Sequence, residues 1–262
     1  MNNTSLKYPV LLVHGIIAHD RGKFNIFWGR IPKTLKEKGV KVFRANTDSW
    51  GCYDSNAKIL KSAIEKILLE TKTEKVNIIA HSKGGIDSRY LIWKHDFEDK
   101  VASLTTISTP HHGSAIADFI YNQKIFHSKI VKKALKIFEK LYGDINPDLY
   151  SVIFQLTVNK MKEFNKIIGI NDKVYYQSLY TTMRNSLDDL IFFYCHRYLK
   201  NINGENDGFV NEHSAKWGKN IIKIEGGISH AEILDYKRKK ISGINIPDIY
   251  IKIVDELIKK GF

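Results

Sequence analysis

Only two cysteines, Cys52 and Cys195, occur among the 262 residues, so no disulfide framework holds this chain. They form neither a Cys-x-x-Cys pair nor a metal-ligand spacing, and read as small packed thiols. No run of about 18 apolar residues is present, which excludes a membrane-spanning helix. The first nine residues lack the apolar core of a signal peptide. The compartment therefore stays open between retention in the cell, export by another route, and prior loss of a leader. Acidic side chains are the minority, 28 against 41 lysines and arginines, for a net charge of +13. The lysines are scattered over what read as solvent faces of helices, without an arginine-rich arm, an RNA-binding signature or a zinc knuckle. Nucleic acid is excluded as a partner, and an anionic interface is the surface this charge suits. Internal repeats and low-complexity linkers are absent too.

What is present is an ordinary globular composition, 43% hydrophobic and 26% charged, long enough for one large core over residues 1–262. Strand-length apolar runs recur at 9–13, 40–44, 76–80, 101–107, 174–179 and 221–224. Their near-continuous hydrophobicity predicts parallel strands buried on both faces. Helical patterns separate them, at 56–72, 83–94, 187–198 and 246–260. In the first, Leu60, Ile64, Ile67 and Leu68 share one face, with Lys58, Lys61, Glu65 and Lys66 opposite. Strands alternating with helices predict an α/β fold, a mostly parallel sheet of about six strands flanked by helices. Residues 115–168 break the alternation with helical patterns alone. Within them, 128–141 lines up Ile130, Val131, Ala134, Leu135, Phe138 and Leu141, with lysines mostly opposite. A basic amphipathic helix here suits a cap or lid over a site, or a lipid surface.

The run Val76-Asn77-Ile78-Ile79-Ala80 leads straight into His81-Ser82-Lys83-Gly84-Gly85. A strand followed at once by a small-x-Ser-x-Gly turn and a helix is the setting of a nucleophile elbow. Strand and helix approach so closely that the positions two before and two after the serine must be small. Ala80 and Gly84 meet that demand, Ala80 in place of the usual glycine.

A nucleophilic serine needs a base, and the base needs a carboxylate to orient it. In this type of fold the chain order is Ser, then Asp or Glu, then His. Asp207, in the Gly- and Asn-rich loop Gly204-Glu205-Asn206-Asp207-Gly208, is the acid candidate. His230 follows the last predicted strand and can meet it at the sheet's carboxyl edge, whereas His213 lies too near Asp207 to do so. Ser82, His230 and Asp207 are thus the candidate triad. The main-chain N–H of Lys83, and that of Ile16 in the loop after the first strand, are the candidate oxyanion donors. His14 and His81 read as structural hydrogen-bonders.

Four blocks, in order, resemble the bacterial triacylglycerol lipases of the α/β-hydrolase superfamily. They are Tyr8 to Gly15, Ala80 to Gly85, Thr106-Ile107-Ser108-Thr109-Pro110-His111-His112-Gly113-Ser114, and Asn206 to Val210. A weaker match covers Leu156-Thr157 to Phe164-Asn165. The resemblance implies an α/β-hydrolase fold with a helical cap, no organic cofactor, and hydrolysis of carboxylic esters through an acyl-enzyme at a lipid–water interface. The apolar helical cap makes medium to long acyl esters the expected substrates, with a carboxylesterase, a polyester hydrolase or a non-catalytic lipid-binding relative as alternatives. It also implies a structural Ca²⁺ near the histidine, with Asp188 and Glu232 as candidate ligands. Two departures weaken that site: Glu232 stands for aspartate, and Tyr236 for glutamine. His111 and His112 are adjacent, point apart, and so suit zinc poorly.

Overall fold

Two apolar layers sandwich a six-stranded sheet in the computed structural model, which describes residues 5–17 and 27–262, with the backbone alone at 140–142. In β1 (Val10–Val13) the alternation of a pleated strand sends Val10 and Leu12 to one layer and Leu11 and Val13 to the other. The chain continues through α1 (Ile31–Glu37), β2 (Val42–Arg44), α2 (Tyr53–Thr71), β3 (Val76–His81), α3 (Lys83–Lys94) and β4 (Val101–Ile107). Four helices follow without a strand: α4 (Ala115–Tyr121), α5 (Lys129–Tyr142), α6 (Leu149–Gln155) and α7 (Val158–Ile167). Then come β5 (Tyr175–Thr181), α8 (Phe193–Asn203), α9 (Glu212–Ala215), β6 (Asn220–Ile224) and α10 (Ile246–Lys259).

All strands pair in parallel, in the order β2-β1-β3-β4-β5-β6. One layer packs Leu35 of α1 and Ile253, Val254 and Leu257 of α10 on the sheet; the other packs Leu60 and Ile64 of α2 and Leu91 and Ile92 of α3. This is the doubly covered α/β sheet that the alternating pattern predicts. The chain order reverses between β1 and β3, so the crevice beyond their carboxyl ends is where such sheets place ligands.

Three expectations need correction. The helix read over 187–198 begins later, as a short 3₁₀ turn at Leu190–Phe192 running into α8, and it extends to Asn203. Its start is displaced because the Asp188 carboxylate folds back to accept the amides of Arg184 and Asn185, at 2.7 and 3.2 Å. The run at 221–224 is not buried on both faces: as the edge strand, β6 leaves Ile221 and Ile222 about 40% exposed (43% and 42%). In α5, capped by Ser128 Oγ, Val131 and Leu135 pack inward, while Ile130 and Phe138 of the same predicted stripe are exposed. The side chains of Lys140 and Leu141 lie outside the described residues. No helix among the described residues is long and apolar enough to cross a membrane.

Candidate active site

The turn from β3 into α3 crowds three main-chain segments together. Ser82 adopts φ +54°, ψ −130°, a strained conformation for a residue with a side chain. A Cβ added to Gly84 would lie 2.5 Å from the His14 carbonyl oxygen and 2.7 Å from that of Val13. One added to Gly15 would lie 2.7 Å from Ser82 Cβ. Only hydrogen fits at either position, so β1, the loop after it and the elbow are locked face to face. Ser82 N–H donates to the Ile107 carbonyl at 2.9 Å, tying the elbow to the end of β4.

Two loops reach this point from the far side of the sheet. Ser82 Oγ lies 3.1 Å from His230 Nε2, and His230 Nδ1 lies 2.8 Å from Asp207 Oδ2. With Nδ1–H donating to the carboxylate, Nε2 is left as the acceptor for the serine hydroxyl. Asp207 is itself held: its Oδ1 accepts the amides of Phe209 and Val210, and its carbonyl accepts His230 N–H at 2.8 Å. His81 is fully enclosed and donates from Nε2 to the His230 carbonyl at 3.0 Å. Burial, reinforced by the neighbouring His230, holds the His81 imidazole well below its ordinary pKa, so it stays neutral. His14 spans Gly15 and Thr47 carbonyls at 2.7 and 3.0 Å. His213 is elsewhere, stacked on His112 at 5.2 Å.

A cavity of about 300 Å³ opens onto Ser82 and His230, lined by Ile16, Ile17, Phe27, Ile191, Phe192, Phe209 and Leu234 among others. Its walls are almost wholly apolar, the chemistry of an acyl chain. Lys83 N–H, first of α3, has no intrahelical acceptor and borders the serine; Ile16 lines the cavity beside it. A larger space of about 680 Å³ lies beside α7, walled by Lys162, His112 and His213 among others. Neither Ser82 nor His230 lines it, so size is a poor guide to the chemistry here.

The sequence profile of the palmitoyl protein thioesterase family matches residues 9–228. The chain belongs to that family. Triacylglycerol lipase 2 of Saccharomyces cerevisiae is 29% identical over 258 residues, covering 90% of this chain and 74% of that protein. A triacylglycerol lipase of Pseudarthrobacter phenanthrenivorans is 38% identical over 118 residues, 44% of this chain but only 36% of the relative. The mature form of a Bacillus licheniformis lipase has the same fold, with a TM-score of 0.71 at 21% identity over 95% of this chain and 92% of that one. The lipase resemblance read from the motif blocks therefore stands, and this family member is a serine ester hydrolase of the α/β-hydrolase type.

Three buried polar clusters around this thioesterase-family site escaped sequence reasoning. Lys83 turns its ammonium to Asp87, 2.7 and 2.9 Å away, and Asn56 Nδ2 donates to the same carboxylate at 2.8 Å. Burial pushes the Asp87 carboxyl upward while Lys83 and Asn56 pull it down. Arg89 is buried with no carboxylate partner among the described residues: it donates to His111 Nδ1, Asn165 Oδ1 and the Ile168 carbonyl and lies 3.9 Å over the Trp217 ring. Burial pushes its pKa down to about 9. His111 accepts from Arg89 on one nitrogen and donates from the other to Thr106 Oγ1. His112 donates to the Lys216 carbonyl.

The third cluster concerns the calcium ligands. Asp188 and Glu232 have different partners: the Asp188 carboxylate accepts the amides of Arg184 and Asn185, while that of its neighbour Asp189 accepts the Ser229 hydroxyl beside the histidine. Glu232 Oε1 accepts from Lys237 Nζ at 2.6 Å, and Asp189 Oδ1 lies 3.6 Å from the same nitrogen. A cation site needs six to eight oxygens around the ion, and here an ammonium stands between the carboxylates. The residues present do not fit calcium. Among the described residues no group of three His, Cys, Asp or Glu side chains is placed to hold a metal.

Proposed function

We propose that this protein hydrolyses carboxylic esters of apolar acyl chains, as a triacylglycerol lipase or esterase, through an acyl-enzyme on Ser82. His230 takes the Ser82 proton as Oγ attacks the acyl carbonyl, then delivers it to the departing alcohol. Asp207 holds the imidazole in the tautomer that leaves Nε2 free, and stabilises the imidazolium that forms. The N–H groups of Ile16 and Lys83 stabilise the oxyanion, an effect worth roughly 3–4 kcal/mol for each such donor. Water then attacks the acyl-enzyme: His230 takes the water proton and returns it to Ser82 Oγ as the carboxylic acid leaves.

The observation that carries this reading is the contact chain Ser82–His230–Asp207 opening into an apolar cavity. Residues 115–168 serve as the helical cap. Ile17 and Ile191 both line the cavity and are 60% and 67% exposed, which gives the mouth an apolar rim suited to a lipid–water interface. A second reading, an acyl thioesterase, is favoured by the family profile; thioesters pass through the same acyl-enzyme. A fluorophosphonate probe followed by peptide mass spectrometry tests the mechanism, with the adduct expected on Ser82. A substrate panel of short and long acyl esters and a long-chain acyl thioester then separates lipase, carboxylesterase and thioesterase. A protein that hydrolyses none of them, or carries no adduct on Ser82, overturns the proposal.

A further inference from the structure

We propose that the Lys237 ammonium is the built-in cation that ties down the loop carrying His230, which makes Lys237 a positioning residue for the reaction. The inference rests on the function proposed above. Asp189 and Glu232 come from separate loops, one between β5 and α8, the other just after His230. Their side chains are only 3% and 2% exposed, and carboxylates so deeply buried require a positive partner. Lys237 supplies it, 2.6 Å from Glu232 Oε1 and 3.6 Å from Asp189 Oδ1.

The remaining carboxylate oxygens converge on one residue. Glu232 Oε2 accepts Ser229 N–H at 3.0 Å, and Asp189 Oδ2 accepts Ser229 O–H at 2.6 Å. Tyr236 O–H adds a weaker bond to the same Asp189 oxygen at 3.3 Å. Ser229 immediately precedes His230, so neutralising the two carboxylates fixes the main chain from which the imidazole projects. A divalent ion bridging two loops would do the same task from outside; here the chain carries its own charge on a five-residue reach from Glu232. The ammonium also excludes a metal, because it fills the space and repels it.

Thermal melts of the wild type with EDTA and with millimolar calcium, and of Lys237→Gln and Lys237→Arg, test this, together with kcat and KM on a soluble ester. The wild-type Tm should be unmoved by either addition. Lys237→Gln should melt about 5 °C lower or more, and its kcat should fall roughly tenfold with KM within about twofold, the pattern of a misplaced base. Lys237→Arg, which keeps the charge, should recover most of both. Calcium raising the wild-type Tm by several degrees would show that a metal is the bridge and overturn the proposal. So would Lys237→Gln at wild-type kcat, whatever its Tm. If Lys237→Gln does not fold, the calcium titration and a Lys237→Arg variant lacking wild-type turnover can still overturn it. Ser82 labelling in the wild type reports separately on the underlying mechanism.

Discussion

Ser82 sits in a turn where carbonyl oxygens and α-carbons of three segments are already in contact, whereas His230 hangs from a loop fixed by side-chain carboxylates, a hydroxyl and an ammonium. On the nucleophile's side Gly15, Gly84 and the end of β4 allow no other geometry. On the base's side Asp207 and His81 bond the His230 peptide directly, and the residue before it depends on Asp189, Glu232 and Lys237, Asp189 being 40 positions away from Ser229. Steric locks of the first kind are all-or-none. Electrostatic ties of the second kind can be loosened one at a time, and so tune activity without unfolding the sheet.

The largest effect that would sharpen this contrast is chemical. Ser82→Ala should abolish fluorophosphonate labelling and lower kcat by about 10⁶; retention of even a hundredth of wild-type turnover would break the assignment. Asp207→Asn keeps the shape but presents an amide to His230 Nδ1, so a loss of about 10⁴ is expected with near-ultraviolet dichroism unchanged. Next comes the steric lock. Gly84→Ala drives a methyl toward two main-chain oxygens that cannot move independently of β1, and urea unfolding should show a loss of about 3 kcal/mol. If Gly84→Ala folds as well as the wild type, the nucleophile's side is not the rigid one.

The smallest effect concerns pH. His81 and His111 are held well below the ordinary value of 6.5, first by burial and then by a neighbouring group, the His230 ring for one and the Arg89 guanidinium for the other. The unfolded chain therefore binds their protons before the folded chain does. Their contribution is complete above pH 6.5 and is lost as pH falls below it toward the depressed folded values. Each contributes at most about 1.4 kcal/mol per pH unit in that window. Urea melts at pH 7.5 and 5.5 should show the slope, and His111→Gln should flatten it; an unchanged slope would remove His111 from the account.

Much of this architecture can be read from residue patterns because the forces involved are local. Continuous apolar runs mark strands covered on both faces, and Ala80 and Gly84 mark a close approach that only small residues permit. The order Ser82, Asp207, His230 follows from the topology of the carboxyl edge, and the structure places the three side chains in contact. Direction between adjacent residues is another matter. Asp188 and Asp189 are indistinguishable by type, and which one holds the residue before the histidine is decided by Ser229, 40 positions away. The role of Lys237 is hidden for the same reason, as is the Arg89 cluster, whose partners come from the loop after β4, from α7 and from the residues before β6. In α5 the apolar stripe is plain, but a stripe does not say how much of it finds a partner.

The uncovered rim of the sheet has a practical meaning. Among the described residues no strand pairs with the outer edge of β6, whose Ile221 and Ile222 lie half in water with Lys223 beside them. Such a rim invites an extended strand from another molecule, and mutual repulsion between copies of charge +13 opposes it. Concentrated salt shortens the reach of that repulsion to about 3 Å at 1 M. Stocks kept in strong brine should therefore clump first, and Ile222→Lys should keep them clear.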